Sequence, residues 1–222
     1  MAKKILVVAA HADDEALGCG GTIARHAAAG DVVYALFMTD GVASRGVPES
    51  EAKHRKTAAA AAAKILGLAE SFQREFPDNR MDSVALLDVV QVVEDAVLKV
   101  QPEIIYTHHA GDLNVDHRVT HQAVMTACRP LPGTPVREIY AFEVLSSTEW
   151  AGPGQQQFSP NVFIDISDFV GVKQRALEAY AEEMRAAPHS RSLAHVRSLG
   201  EHRGNTVGVA SAEAFEAIRV IK

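Results

Sequence analysis

Apolar residues in this chain fall into short aliphatic runs, each followed by a polar break and then a helix-length stretch. Residues 4–10 (KILVVAA) are an uninterrupted run of strand length, which predicts a strand buried on both faces, as in a parallel sheet. Residues 16–29 are rich in Ala and Gly and predict a helix closed by Gly30. Residues 31–39 predict a second strand, 40–48 a polar loop, and 50–66 a helix with Gly67 just past its end. Residues 82–101 predict a long helix stopped by Pro102. A strand at 103–107, a helix at 115–127, strands at 138–143 and 161–166 and a helix at 167–183 follow. The weaker C-terminal pattern predicts a last strand at 205–210 and a short helix at 212–218. This alternation predicts an α/β fold with a mostly parallel sheet, as one domain spanning residues 1–222. Ligands of such sheets sit beyond the carboxyl ends of the strands, so polar residues there are the candidates for chemistry.

Composition narrows the functional classes. Hydrophobic residues make up 47% and charged residues 23%, an ordinary globular balance. A net charge of −6 argues against a broadly basic surface, so no nucleic-acid partner is expected. Two cysteines make neither a disulfide framework nor a Cys-only zinc site, and Cys19 and Cys128 read as packed thiols. The apolar run after Lys3 and Lys4 is too short for a signal-peptide core or a membrane span. The expectation is a cytoplasmic protein with no membrane partner.

Directly after the first strand come His11, Asp13, Asp14 and Glu15. Three adjacent carboxylates repel one another and are costly to bury unpartnered, a difficulty that a cation removes. His11 and Asp14, three residues apart in a tight turn, point at one metal, and imidazole with carboxylate suits zinc. Three other readings of the segment stand beside this one. The acids favour a helix N-terminus through the macrodipole. Paired Asp after a first strand also makes a receiver-type magnesium pocket, against which His11 weighs. Gly18, Gly20 and Gly21 with Asp40 give a poorly spaced dinucleotide motif.

A second cluster, Thr107-His-His-Ala-Gly-Asp-Leu-Asn-Val-Asp-His-Arg118, follows another short strand and so belongs to the same sheet edge. His117 completes a two-His, one-Asp set that leaves a fourth coordination position open, the pattern of a catalytic zinc. Asp116 or Asp112 is placed to orient a ring nitrogen. His121, one turn later, reads as a surface residue.

Ala10-His-Ala-Asp-Asp-Glu15 with Leu17-Gly-Cys-Gly-Gly-Thr22 resembles the opening motif of the LmbE-like (PIG-L-like) zinc N-deacetylases, commonly His-Pro-Asp-Asp-Glu. Asn114-Val-Asp-His117 resembles their second motif, commonly His-Pro-Asp-His. Thr39-Asp-Gly41, Ser44-Arg-Gly46, Gly208-Val and Ala212-Glu-Ala-Phe215 add weaker likeness, so the resemblance spans most of the chain. It implies a Rossmann-like three-layer sandwich, one Zn2+ per chain on His11, Asp14 and His117, and Asp13 as general base. Ala12 departs from the motif at a residue that ligates nothing. Asn114 replaces a His that helps to stabilise the tetrahedral intermediate, so either the Asn114 amide or His108 or His109 takes that task.

The implied activity is hydrolysis of a linear amide C–N bond by metal-activated water, removing acetyl from an N-acetylglucosamine-type sugar or glycoconjugate. The alternatives are an amidase on a larger N-acyl or thiol conjugate, and a catalytically inactive metal- or sugar-binding relative. The resemblance places a substrate-contacting arginine at Arg55. Asp78 reads as a loop carboxylate for sugar hydroxyls, and Arg45 as an anion ligand or a loop cap. Arg191 and Arg203 join Arg45 and Arg55 as candidate anion clamps, which predicts a charged substituent beyond the sugar. Trp150 and the polar clusters at 188–191 and 202–203 read as substrate wall or as subunit contacts of a homo-oligomer.

Overall fold

The computed structural model describes residues 2–39 and 49–222. Its strands are β1 (Lys4–Ala9), β2 (Val32–Thr39), β3 (Glu70–Phe76), β4 (Ile104–His108), β5 (Glu138–Phe142), β6 (Val162–Asp165) and β7 (Ala212–Val220). Its helices are α1 (Asp14–Ala28), α2 (Glu49–Leu66), α3 (Leu86–Val100), α4 (Val115–Ala127), α5 (Val170–Ala179) and α6 (Leu193–Asn205). The strands form one sheet in the order β3-β2-β1-β4-β5-β7-β6. The first five run parallel, and β7 lies antiparallel between β5 and β6.

β1 shows why a continuous aliphatic run predicts this architecture. Ile5 and Val7 face one layer with Ile23, Leu66 and Leu177, whereas Leu6 and Val8 face the other with Val89, Val93 and Val124. α1, α2 and α5 therefore cover one face and α3 and α4 the other, a three-layer α/β sandwich. Chain order reverses across β1: β2 and β3 lie to one side, β4 and β5 to the other. The carboxyl ends of β1 and β4 thus flank the topological switch point, where open α/β sheets bind ligands. Among the described residues, no helix is long and apolar enough to cross a membrane.

Glycines fit α1 against the sheet. A Cβ on Gly18 would run into the Phe142 ring, and one on Gly21 would lie 2.8 Å from Ile166. These two glycines serve helix–sheet packing, which accounts for them without a dinucleotide. α1 is broken at Cys19 (φ −145°, ψ 24°). Glu213 of β7 repairs the break, its carboxylate accepting the N–H groups of Gly21 (2.9 Å) and Thr22 (2.7 Å). Lys173 of α5 binds the same carboxylate at 2.6 Å and the Leu17 carbonyl at 2.8 Å.

Four expectations need correction. β3 was not anticipated: Glu70–Phe76 is a polar edge strand with no apolar run. The helix expected from residue 82 starts at Leu86, after a 3₁₀ turn at Met81–Ser83. The helix expected at 167–183 spans only Val170–Ala179. The C-terminus is inverted: the last strand is Ala212–Val220, and a helix, Leu193–Asn205, precedes it. Ala and Glu dominate Ala212–Val220, but pairing on both edges and burial on both faces override their helix propensity.

Candidate active site

β1 ends at the switch point in a turn that brings His11 and Asp14 together. The His11 N–H donates to Asp14 Oδ2 at 2.9 Å, and Oδ2 also lies 3.2 Å from His11 Nδ1. α4 delivers His117, whose Nε2 is 3.3 Å from the same oxygen. Ligand atoms about 2.0–2.1 Å from a tetrahedral zinc stand roughly 3.3 Å apart, so this spacing fits. Asp14 Oδ1 and His117 Nε2 are buried with no hydrogen-bond partner among the described residues. Both belong to the predicted ligand set, though other buried polar atoms outside it, such as Thr107 Oγ1 and Thr120 Oγ1, share this state. The expected triad therefore assembles as a candidate metal site.

The other ring nitrogens are held by carboxylates. His117 Nδ1 lies 3.1 Å from Asp112 Oδ1, and Asp112 also accepts the hydroxyls of Ser147 and Thr148. His11 Nε2 lies 3.1 Å from both Asp78 Oδ1 and Asp116 Oδ2. Asp116 is fixed in turn by the N–H groups of Asn79 (2.6 Å) and Met81 (2.9 Å). The two candidate orienting carboxylates thus divide the work: Asp112 serves His117 and Asp116 serves His11. Such partners would keep each proton on the outer nitrogen and turn the inner lone pair toward a metal bound there.

Electrostatics of the metal-free chain follow from burial and pairing. Burial lowers the His117 imidazole, but Asp14 and Asp112 outweigh it and raise it to about 9. Burial also opposes charge on His11, yet Asp116, Asp14 and Asp78 hold it well above its usual value. Burial raises Asp112, whereas His117 and the two hydroxyls bring it well below the carboxylate range. Asp13 is buried and pushed up to about 6, with Arg191 opposing the shift and Asp14 adding to it.

Asn114 caps α4, its Oδ1 accepting the Asp116 N–H at 2.8 Å while Nδ2 donates to Asn79 at 3.2 Å. His108 and His109, the alternatives to it, are each engaged elsewhere. His108 is buried and held well below its usual pKa by burial, its Nε2 accepts the Ala10 N–H at 2.9 Å, and its ring stacks on His117 at 3.9 Å. His109 is engaged by Glu216 (2.7 Å) and the Gln156 carbonyl (2.8 Å). His121, expected on the surface, is buried and donates to the His108 carbonyl at 2.8 Å.

A cavity of about 80 Å³ opens beside the triad, lined by Asp13, Arg55, Asp78, Asn114, Glu183 and Arg191 among others. Arg55 and Asp78, the expected substrate contacts, both line this cavity, and Arg45 lies outside the described residues. Three of the four candidate anion clamps pair with carboxylates of the chain itself. Arg55 pairs with Glu183 at 2.6 Å, Arg191 with Asp13 at 2.7 Å, and Arg203 with both oxygens of Glu143 at 2.8 Å. Ser147, Thr148, Asn79 and Glu183 escaped the sequence reading, because they arrive from loops whose composition marks them only as polar.

Residues 6–128 match the family model described as PIG-L: GlcNAc-PI de-N-acetylase. The chain is 33% identical over 185 residues to the uncharacterized deacetylase YaiS of Escherichia coli K12, covering 80% of this chain and 90% of that one. It is 28% identical to the diacetylchitobiose deacetylase of Thermococcus kodakarensis, over 97% of this chain and 83% of the relative. It is also 27% identical to the 4-oxalmesaconate hydratase of Pseudomonas putida, over 95% of this chain and 84% of the relative. Among solved structures, the conserved protein TT1542 of Thermus thermophilus superposes with a TM-score of 0.79 at 26% identity, covering 99% of this chain and 96% of that one. The fold and the paired strand-end motifs define an α/β domain with a candidate metal centre at the switch point. The chain belongs to the PIG-L (LmbE-like) family.

Proposed function

We propose that this chain is a zinc-dependent N-deacetylase, with one Zn2+ per chain, that removes acetyl from an N-acetylglucosamine-type sugar or glycoconjugate. The observation that carries this reading is a two-His, one-carboxylate donor set, buried at Asp14 and His117 and half-buried at His11, with a further carboxylate, Asp13, beside it on the cavity wall. The deacetylases among its relatives support the reaction class, and the diacetylchitobiose enzyme supports the sugar.

His11, Asp14 and His117 would hold the metal. Zinc, when bound, acidifies water to near neutral pH and polarises a carbonyl. Asp13, a buried carboxylate beside the ligand Asp14, takes a proton from the attacking water. Asn114 Nδ2 donates to the oxygen that gains negative charge as the carbonyl becomes tetrahedral. The C–N bond breaks, Asp13 returns its proton to the leaving nitrogen, and acetate and a free amine result. Asp78 and Arg55 line the cavity and bind sugar hydroxyls, while Asp116 and Asp112 orient the two ligand rings. Two free, buried cysteines accord with a reducing, cytoplasmic setting.

The hydratase relative favours one second reading, in which the same metal-site residues add water across a C=C bond. Amine release from N-acetylglucosamine, N,N'-diacetylchitobiose and anionic conjugates of N-acetylglucosamine, with zinc and after chelation, decides between them. Zinc-dependent amine release is expected. No release from any amide, with hydration of an unsaturated polycarboxylic acid, would select the hydratase reading.

A further inference from the structure

Asp13 sits at the N-cap of α1 with φ 135° and ψ −29°, a backbone region that a residue with a Cβ rarely adopts, so its neighbours must hold it there. It makes no side-chain capping bond of its own. Its backbone N–H is gripped by Glu15 Oε2 at 3.0 Å, and the Tyr180 hydroxyl fixes Glu15 at 2.8 Å. Its carboxylate is gripped from the opposite end of the sequence, Arg191 Nη1 donating to Asp13 Oδ2 at 2.7 Å.

Arg191 is itself immobilised. Its Nε donates to Ser146 Oγ at 2.6 Å and approaches the Leu145 carbonyl at 3.4 Å, both on the loop after β5. Its backbone N–H donates to His189 Nδ1 at 3.0 Å. The Ser146 N–H is in turn held by Glu149 at 2.6 Å. A planar guanidinium fixed at one edge presents its remaining donors in a set direction, which a flexible ammonium does not.

We propose that Arg191 is the positioning residue for Asp13. It occupies Oδ2 and leaves Oδ1 as the oxygen that exchanges the proton, and it sets the angle at which Oδ1 meets the amide. This rests on the reading of Asp13 as the proton acceptor. A donor committed to an internal carboxylate acts on turnover and not on substrate affinity, which separates it from an anion clamp. Misplacement of a reacting group by about 1 Å costs up to roughly 10²-fold in rate.

The experiment uses the zinc-loaded full chain with Arg191→Met, Arg191→Lys and Arg191→Ala. Arg191→Met is expected to lower kcat by about 10- to 100-fold with KM within about threefold. Zinc stoichiometry should be unchanged, Arg191→Lys should recover part of the rate, and millimolar guanidinium should rescue Arg191→Ala. A crystal structure of zinc-loaded Arg191→Met should show the metal in place and the Asp13 carboxylate rotated. Unchanged kcat would overturn the proposal, and a raised KM at unchanged kcat would make Arg191 a substrate ligand instead. If the wild type hydrolyses no N-acetyl sugar, the deacetylase reading fails while the crystallographic arm still decides whether Arg191 holds Asp13. If Arg191→Met does not fold, Arg191→Lys carries the same comparison.

Discussion

Asp112 Oδ1 stands 3.1 Å from His117 Nδ1, on the side of the ring facing away from Asp14. Asp112 is buried, and it also accepts the hydroxyls of Ser147 and Thr148 and the Asn114 N–H. This pair fixes which nitrogen of His117 keeps its proton. Removing a carboxylate that orients a ligand histidine typically costs 10- to 100-fold in metal affinity. Asp112→Asn should therefore weaken zinc binding by about that factor, read by competition with a chelating dye, while His117→Ala should abolish tight binding. Equal zinc affinity in Asp112→Asn and wild type would remove Asp112 from the metal site.

On the proposed mechanism Asn114 has two tasks that substitution can separate. Its Oδ1 caps α4, and Asn114 also lines the cavity. Asp is as good an N-cap as Asn but lacks the amide donor. Asn114→Asp should keep its unfolding midpoint and lose kcat by about 10²-fold, the scale of one lost oxyanion donor. Asn114→Ala should lose both, including about 1 kcal/mol of stability. Full activity in Asn114→Asp would assign the oxyanion to another donor.

Proton competition gives a pH signature with a definite sign. In the metal-free chain, burial opposes charge on His117 but Asp14 and Asp112 raise it to about 9, above the unfolded value of 6.5. That pairing contributes stability that is complete below about pH 6.5 and is lost as pH rises through about 9. His11 is raised as well, so both imidazoles must release protons to take up zinc. Calorimetric titration near neutral pH in buffers of different ionisation enthalpy should report release of about one to two protons per zinc. Zinc affinity should fall as pH falls. Uptake without proton release would contradict the assignment of these two rings as ligands.

The Lys173–Glu213 pair, at 2.6 Å, is buried between α5 and β7 beneath the break in α1. Removing one member of a buried pair typically costs 3–5 kcal/mol, because the other charge stays behind. Lys173→Met should destabilise by about that amount in urea unfolding, with the zinc ligands untouched. A loss under about 1 kcal/mol would mean that the backbone donors of Gly21 and Thr22 suffice for Glu213.

The parts of this molecule that were legible in its sequence share a physical cause. β1 is buried on both faces, so it writes an unbroken aliphatic run, and His11 and Asp14 follow it within five residues. β4 and His117 repeat that relation on the other side of the switch point. β3 is an edge strand with half-exposed side chains, and its sequence carries no strand signal. β7 is built from Ala and Glu, whose local preference is helical, and only its neighbours β5 and β6 make it a strand. In the site, the candidate ligands were visible because His11 and Asp14 follow β1 directly and His117 opens the helix after β4, whereas Arg191 reaches Asp13 across 178 residues of sequence. Its arginine side chain suggested an anion ligand, and only the fold reveals that the anion is the protein's own.

Zinc content and acetate release measured on the same samples of wild type and Asp13→Ala, with N,N'-diacetylchitobiose as substrate, test the central claim most directly. The account predicts one zinc per chain in both proteins and a loss of turnover of about 10²- to 10⁴-fold in Asp13→Ala, the usual scale for a general base. Loss of zinc from Asp13→Ala, or undiminished acetate release without Asp13, would contradict it.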